Sequence, residues 1–507
     1  MSSKNVIVIG GGLAGLAAGV ALAESGWQVK LFELRPFLGG RATSFVLPSG
    51  EHVDNCQHVT LGCCTNLDDF YRRVGSAGKV KFFDRLFFLD PQGRSGAMQA
   101  GILPAPFHMM GSFATFAPLS LGDKLSIARA MMRILFTAGK PKEADTPAGI
   151  SMLDWLKNQK QTPRAIERFW RVVLVSALDE ELDRTDARFG IDVFWKAFLS
   201  NRTGYRMGVP AVPLAELYDG CRIAIEKKGG EVALRAPVRG VRMENGAIAA
   251  VQFDNGREES ADAYVFALPH TALASLLPPE IQSANPALSS LEKIKVSPIT
   301  GVHFWFDREI TREPFITLLD TNVQWVFNKT ALYSTAAAVV IPSAARDLLL
   351  HPAEQTADSS GQLRPRNDKQ SEIAARSSGQ YLQLVISASY DLLKKSREEI
   401  IDLCLKEIRQ ALPAAREAQL VKATVIKEAS ATFSPEPGVD RFRPAQSTNT
   451  PGLFLAGDWT ATGWPATMEG AVRSGYLAAE AVLRSAGSPA QFLQPDLPAT
   501  GLSRFFA

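Results

Sequence analysis

Asp54-Asn55-Cys56-Gln57-His58 puts two proton-moving side chains into one short polar stretch. The chain has only 6 histidines, so groups that titrate near neutrality are scarce. His58 is the first candidate for a general acid. Asp54 is the second, because an apolar setting raises a carboxyl's pKa and keeps its proton on. Each also has a plainer role open: His58 can bond backbone beneath a ligand, and Asp54 can close a turn. His303 alternates with aromatics in Thr300-Gly301-Val302-His303-Phe304-Trp305-Phe306. It can face a channel, but a core histidine fits that pattern better. No Ser-His-Asp order and no metal-ligand grouping competes. The 5 cysteines contain no C-x-x-C spacing, so no metal is expected. Cys63-Cys64 reads as buried packing, since a vicinal disulfide is strained.

Gly10-Gly11-Gly12-Leu13-Ala14-Gly15 matches G-x-G-x-x-G between an apolar strand and a helix. Gly10 permits the tight turn, Gly12 lets backbone approach a pyrophosphate, and Gly15 lets helix and strand pack closely. The phosphates then lie on the helix start at Leu13 and Ala14. Glu33, at the end of the second strand, is placed to accept from ribose hydroxyls and to repel a 2′-phosphate. FAD and NAD share this fingerprint, so other residues must decide. Gly39-Gly40-Arg41 suits a second close approach to a pyrophosphate. Gly457-Asp458 offers a carboxylate to a ribityl hydroxyl. Trp464-Pro465-Ala466-Thr467-Met468 reads as a helix start with Pro465 in its first turn. Its N–H groups and dipole would face the electron-rich edge of a flavin. Val238, the first residue of a strand at 238–243, is placed with the same set. The expected cofactor is FAD.

These signatures together resemble the FAD-dependent amine oxidase and carotene desaturase superfamily. The runs 53–62, 300–306, 324–327 and Gly457-Asp458-Trp459-Thr460-Ala461-Thr462-Gly463-Trp464-Pro465-Ala466-Thr467-Met468-Glu469 are more closely similar to the bacterial squalene-associated FAD desaturases, the hydroxysqualene dehydroxylases. The resemblance spans about residues 5–484. Cys56 stands where that family often has glycine, and 342–379 is long for it. The resemblance implies replacement of the allylic hydroxyl of hydroxysqualene by hydrogen, giving squalene for hopanoids. The alternatives are a carotenoid or phytoene-type desaturase, and a redox-neutral isoprenoid isomerase or lipid-binding flavoprotein. The dehydroxylation needs an acid, a dry channel and a hydride from reduced flavin. Trp170, Phe304, Trp305, Trp325 and Trp464 are the expected substrate contacts, with Phe169, Phe194, Trp195, Phe306 and Phe327 as further wall candidates. Aromatic faces also stabilise a passing cation. No second nucleotide fingerprint is present, so the electron donor is expected to be NADPH bound without its own domain, or a partner. Neighbouring squalene-pathway enzymes are expected partners.

Residues 5–33 read as strand, helix, strand; 231–268 as a run of strands; and 453–484 as a strand, a loop and a small-residue helix. The expected fold is α/β. A Rossmann-type, doubly wound parallel sheet binds FAD in three parts (1–90, 215–289 and 431–486). An α+β substrate domain is interleaved with it (91–214 and 290–430). Residues 342–379 read as a mobile excursion and 487–507 as a loosely ordered tail. The 46% apolar content supports a large core. A net charge of +3 excludes a dedicated nucleic-acid binder. No cleaved leader is expected before the first strand. The uncharged run 95–122 is broken by Pro104, Pro106 and Pro118, which argues against a membrane span. An oily substrate instead calls for a docking surface at 101–138. There Leu103, Phe107, Met109, Met110, Phe113 and Phe116 precede a helix carrying Lys124, Arg129 and Arg133. A lid helix is the other reading. The expected location is cytoplasmic, at the periphery of the inner membrane.

Overall fold

The computed structural model describes residues 4–48, 50–140, 149–334 and 379–507. Val6 to Ile9 is apolar at every position because both faces of its strand are covered. Asn5–Ile9 lies at the centre of a five-stranded parallel sheet. Its order is Glu231–Ala233, Gln28–Phe32, Asn5–Ile9, Ala263–Phe266, Leu453–Leu455. The sheet thus gathers strands from three separate stretches of chain. On one face Val6 and Val8 meet the helix Leu13–Glu24, and that helix packs on Met468–Ser485. A Cβ at Gly475 would lie 2.3 Å from the Ala14 carbonyl oxygen. The glycine is what lets the two helices approach so closely. On the other face Ile7, Ile9 and Phe32 meet a small antiparallel sheet (Val238–Glu244, Ala247–Phe253, Glu258–Glu259), with Phe32 edge-on to Phe253 at 4.8 Å.

A second, seven-stranded sheet runs Leu420–Phe433, Val296–Phe306, Gln380–Ser387, Trp325–Asn328, Phe315–Leu318, Arg85–Leu89, Ser95–Gln99 among the described residues. Arg85–Leu89 pairs with Phe315–Leu318 here, so it does not belong to the nucleotide-binding layer that 1–90 was expected to form. Helices between 110 and 199 cover one side. Two of their segments, Ile166–Arg171 and Phe194–Leu199, are wound as i→i+5 turns. Such turns re-aim side chains and are frequent at functional sites.

The uncharged run 95–122 forms a strand and the short helix Met110–Ala114. No helix among the described residues is long and apolar enough to cross a membrane. The expected excursion at 342–379 lies outside the described residues, except for Gly379. Residues 487–507 are not a loose tail. Phe492 and Leu493 donate their N–H groups to Glu480, Gln494 exchanges bonds with Asn66, and Asp496 pairs with Arg473 at 2.8 Å. Farther on, Ser503 donates to the Leu199 carbonyl. Polar side chains of the folded body supply the partners that a Pro-rich segment cannot provide for itself.

Candidate active site

One cavity of about 970 Å³ runs from the glycine turn into the substrate layer. Gly10 has φ +106°, and a Cβ there would sit 2.4 Å from the Ala267 carbonyl oxygen. Gly15 could not carry a side chain either, because its Cβ would meet the Gly10 oxygen at 1.9 Å. It packs the helix on the strand and is not on the cavity wall. Gly12 differs: the nearest atom to an added Cβ is Gly40 Cα at 3.9 Å, so the space beside it belongs to the cavity. The helix that follows has neither a side-chain cap nor an acid in its first turn. Its positive end therefore remains available to a phosphate. Leu13, Ala14, Gly39, Gly40 and Val238 share this wall. Glu33 accepts from Gly11 N–H at 2.6 Å and Arg35 N–H at 2.7 Å, one through each carboxylate oxygen. Each oxygen keeps capacity for a ribose hydroxyl.

At the far end of the nucleotide groove Arg41 pairs with Asp458 at 2.7 Å and donates to the Ala431 carbonyl at 2.6 Å. Gly457 is held by its N–H to Ser474 Oγ at 2.8 Å. Thr467 caps the helix Met468–Ser485 by accepting from Gly470 N–H. Pro465 therefore stands two residues before the cap and not in the first helical turn. Thr467 and Met468 still line the cavity at the helix's positive end. Glu469 turns away to accept from Asn66 and Leu67, which caps the helix Thr65–Arg73. An open pyrophosphate cradle, a ribose acceptor and a second helix start along one groove fit FAD.

The two proton-transfer candidates part company. Asp54 is fully buried and does not reach the cavity. Its carboxylate takes Lys329 Nζ at 2.7 Å, Ser44 Oγ at 2.7 Å, Leu214 N–H at 3.1 Å and the Tyr333 hydroxyl at 3.1 Å. Burial alone would push it up, but the Lys329 ammonium and these donors bring it below the ordinary carboxylate range. The expectation of a protonated Asp54 is overturned because a buried cation faces it. His58 is on the wall, with Nδ1 3.0 Å from the Cys56 carbonyl. That geometry makes Nδ1 the donor and leaves Nε2 bare. Burial lowers its pKa, against the pull of the Cys56 carbonyl, so the imidazolium that an acid requires is disfavoured. The bond that His58 makes is the plainer one, to backbone.

Of the expected substrate contacts, Trp325 and Trp464 line the cavity, joined by Phe169, Phe194 and Phe327. The two i→i+5 turns deliver Phe169 and Phe194, stacked at 5.6 Å. Trp170, Phe304 and Trp305 do not line it. Trp170 is buried behind Phe169 and donates to Gln161 at 2.8 Å. Phe304 packs in the core on the opposite side of its sheet. Trp305 stacks on Tyr381 at 4.6 Å with Lys422 over its face. Trp195 and Phe306 are also absent from the wall. A strand shows only alternate residues to one face, and sequence alone does not say which face is wet. His303 bonds the Tyr381 hydroxyl and is held down to about 4 by burial, a neutral core histidine. Cys63 and Cys64 are free thiols on the wall. Among the described residues no cluster of three or more His, Cys, Asp or Glu could hold a metal.

A family model for flavin containing amine oxidoreductases matches residues 13–483. The chain belongs to that family. It is an FAD-dependent oxidoreductase. It is 26% identical to the zeta-carotene desaturase of Synechocystis, covering 94% of this chain and 97% of that protein. It is 25% identical to the 15-cis-phytoene desaturase of Solanum lycopersicum, covering 94% and 77%. An oxidoreductase from Methanosarcina mazei has the same fold (TM-score 0.67, 18% identity, 95% and 100% covered). So does putrescine oxidase with putrescine bound (TM-score 0.66, 16% identity, 95% and 99% covered).

Sequence reasoning missed two polar features of this flavoenzyme's cavity. Asp192 and Lys196 pair at 2.7 Å on the wall, one helical turn apart. Asp179 lies on the wall with no lysine or arginine paired to it among the described residues. The i,i+4 spacing could have signalled the first. Nothing marked the second, because Asp179-Glu180-Glu181 looks like a solvated helix end.

Proposed function

We propose that this flavoenzyme exchanges a hydride with an allylic carbon of a long linear isoprenoid. The observation that carries this reading is the single cavity. It joins the dinucleotide groove to an apolar tunnel and opens among Phe107, Met110 and Met132, which are themselves exposed. A charged or compact polar substrate would not repay such a wall. Bound FAD supplies the hydride donor or acceptor. The chain's own residues exclude water, hold the polyene against Phe169, Phe194, Trp325 and Phe327, and handle one proton.

The direction of transfer divides two readings. The named relatives are carotenoid desaturases, and they favour oxidation of a carotenoid-type chain. The segments at 53–62, 300–306, 324–327 and 457–469, together with a cavity carboxyl that pairs with no cation among the described residues, favour the reductive direction. We take the second as the chemistry this site supports best: an allylic hydroxyl leaves as water and hydrogen replaces it, as in hydroxysqualene to squalene. NADPH is the proposed electron donor. The test is product analysis with the holoenzyme. Dithionite-reduced protein under anaerobic conditions should convert hydroxysqualene to squalene. Conversion of phytoene or zeta-carotene to a longer chromophore by the oxidised protein would establish the desaturase instead, and inactivity on all of them would overturn the isoprenoid reading.

We also propose that the protein docks on the cytoplasmic face of the inner membrane. Ile102, Leu103, Leu121, Leu125, Phe136 and Phe505 are exposed, as are Arg129 and Arg133 on the helix Leu121–Phe136, whose Ala128, Met131 and Met132 line the cavity. Met109 and Phe116, expected in that surface, are buried in the wall instead. An apolar patch rimmed by basic residues suits an anionic interface and gives an oily substrate a dry way in.

A further inference from the structure

We propose that Asp179 is the proton donor that turns the allylic hydroxyl into a leaving group. The proposal rests on the reductive reading above and assigns its acid. Asp179 ends the helix Val172–Leu178 in a left-handed conformation, φ +53°. Aspartate and asparagine tolerate that conformation better than most side chains. The residue is 4% exposed, and it lines the cavity beside Ser176, Trp325 and Ser387. One carboxyl oxygen accepts from Ala388 N–H at 2.9 Å and the other from the Thr432 hydroxyl at 2.9 Å. Both donors are neutral.

Among the described residues five carboxyls lie on the cavity wall, and Asp179 differs from the rest in what faces it. Asp458 pairs with Arg41, Asp192 with Lys196, and Glu469 faces Arg473 while accepting from Asn66 and Leu67; burial raises Asp192 and Glu469 too, but each has a cation opposite it. Glu33 belongs to the nucleotide end and is held by two backbone N–H groups. Asp179 pairs with no lysine or arginine among the described residues. Glu180 follows it in the chain, and Arg184 is engaged with Glu180 at 3.5 Å and with Glu436. The Cys56 thiol faces Asp179 from the 54–58 loop, Thr432 from the long strand Leu420–Phe433, and Ser387 from Gln380–Ser387. Burial pushes the carboxyl up and Glu180 adds to it. Together they outweigh Ala388 and Thr432, so the group stays well above the ordinary carboxylate range.

Placement completes the case. Thr432 adjoins Ala431, whose carbonyl holds Arg41, the partner of Asp458 in the flavin-edge segment. Through Thr432 and Ala431 the acid is thus tied to the strand that holds Arg41 at the cofactor groove. In the step assigned, the Asp179 proton goes to the hydroxyl oxygen. The C–O bond breaks with its electron pair on oxygen, and water leaves. The allylic carbon receives a hydride, one hydrogen and two electrons, which reduced flavin supplies. Ala388 and Thr432 then stabilise the Asp179 carboxylate until solvent returns a proton.

The experiment uses FAD-loaded protein. Infrared spectroscopy at neutral pH should show a protonated carboxyl C=O band that Asp179→Asn removes. The same variant, reduced with dithionite, should form squalene from hydroxysqualene about 10²–10⁴-fold more slowly. It should also lose the fall in rate that wild type shows as pH rises through the Asp179 pKa. The acetate ester of hydroxysqualene, whose leaving group needs no such proton, should be turned over at nearly equal rates by both. Thr432→Val, which removes one donor to the carboxylate, should move the alkaline limb to higher pH, and it covers the case in which Asp179→Asn does not fold. Absence of the carboxyl band, or Asp179→Asn turning over hydroxysqualene at the wild-type rate, overturns the assignment. Wild type that leaves hydroxysqualene untouched but desaturates a carotenoid overturns the reductive reading itself, and the assignment falls with it.

Discussion

Replacing Lys329 by Met should cost about 3–5 kcal/mol, the loss that follows when one partner of a buried ion pair is removed. The structure puts this pair at the severe end. Both side chains are fully buried, and Nζ lies 2.7 Å from Asp54 Oδ2 and 2.8 Å from Gln57 Oε1. Without the ammonium, Asp54 keeps only Ser44, Leu214 N–H and Tyr333 as donors. Three neutral bonds do not offset a buried charge. Domains are typically stable by about 5–15 kcal/mol, so the loss is more than half of the total at the low end. Urea unfolding followed by tryptophan fluorescence reads it directly. The double variant Asp54→Asn, Lys329→Met removes both charges and should recover most of the loss. pH gives a second check. In wild type Asp54 is depressed below its unfolded value, so its contribution is present above that value and is lost as pH falls through the folded pKa. In Lys329→Met burial is opposed only by the neutral donors and raises Asp54. The penalty should then shrink on acidification, as the carboxyl protonates. A single variant as stable as wild type, or a double variant worse than the single, would refute the picture of a charge pair pinning the 54–58 loop.

Gly12→Val should fold normally yet lose FAD, because the new side chain meets no protein atom closer than 3.9 Å at Cβ and points into the cofactor's space; flavin absorbance retained after gel filtration would contradict this. Glu33→Ala should weaken FAD binding by removing the acceptor for the ribose hydroxyls, each hydrogen bond to a charged group being worth about 1.5–3 kcal/mol, as a flavin titration would show. His58→Ala should keep hydroxysqualene turnover within about tenfold of wild type and leave the alkaline limb in place, since general-acid help is worth about 10²–10⁴-fold and His58 is not expected to supply it; a larger loss returns the acid role to His58. Leu121→Asp with Leu125→Asp should abolish sedimentation with anionic vesicles at unchanged turnover of detergent-solubilised substrate; equal sedimentation would make the Leu121–Phe136 helix a lid.

The nucleotide end was legible because its chemistry is local. A buried parallel strand, a glycine at each of two close approaches and an acid closing the next strand are all written within residues 5–33. Backbone sterics fix where they must lie. The flavin-edge segment was nearly as readable. Only Pro465 was misjudged, because a proline fits the loop before a cap as well as the first turn after it.

The substrate end was hidden for the opposite reason. Whether Trp170 or Phe169 faces the tunnel depends on an i→i+5 turn, which a 3.6-residue periodicity does not announce. Whether Asp54 is an acid depends on Lys329, 275 residues away in sequence. A carboxyl's chemistry is set by the charge opposite it, and for a buried group that charge comes from another element. Asp54 looked like a proton donor because its local stretch is polar. Its distant partner is a cation, so it serves as an anchor. Nothing in the sequence marks Asp179, because acids follow it. Its distant partners are a hydroxyl and a backbone N–H, so it keeps its proton beside the tunnel. The same residue type takes opposite roles in one molecule. The difference between them lies entirely in contacts made across the fold.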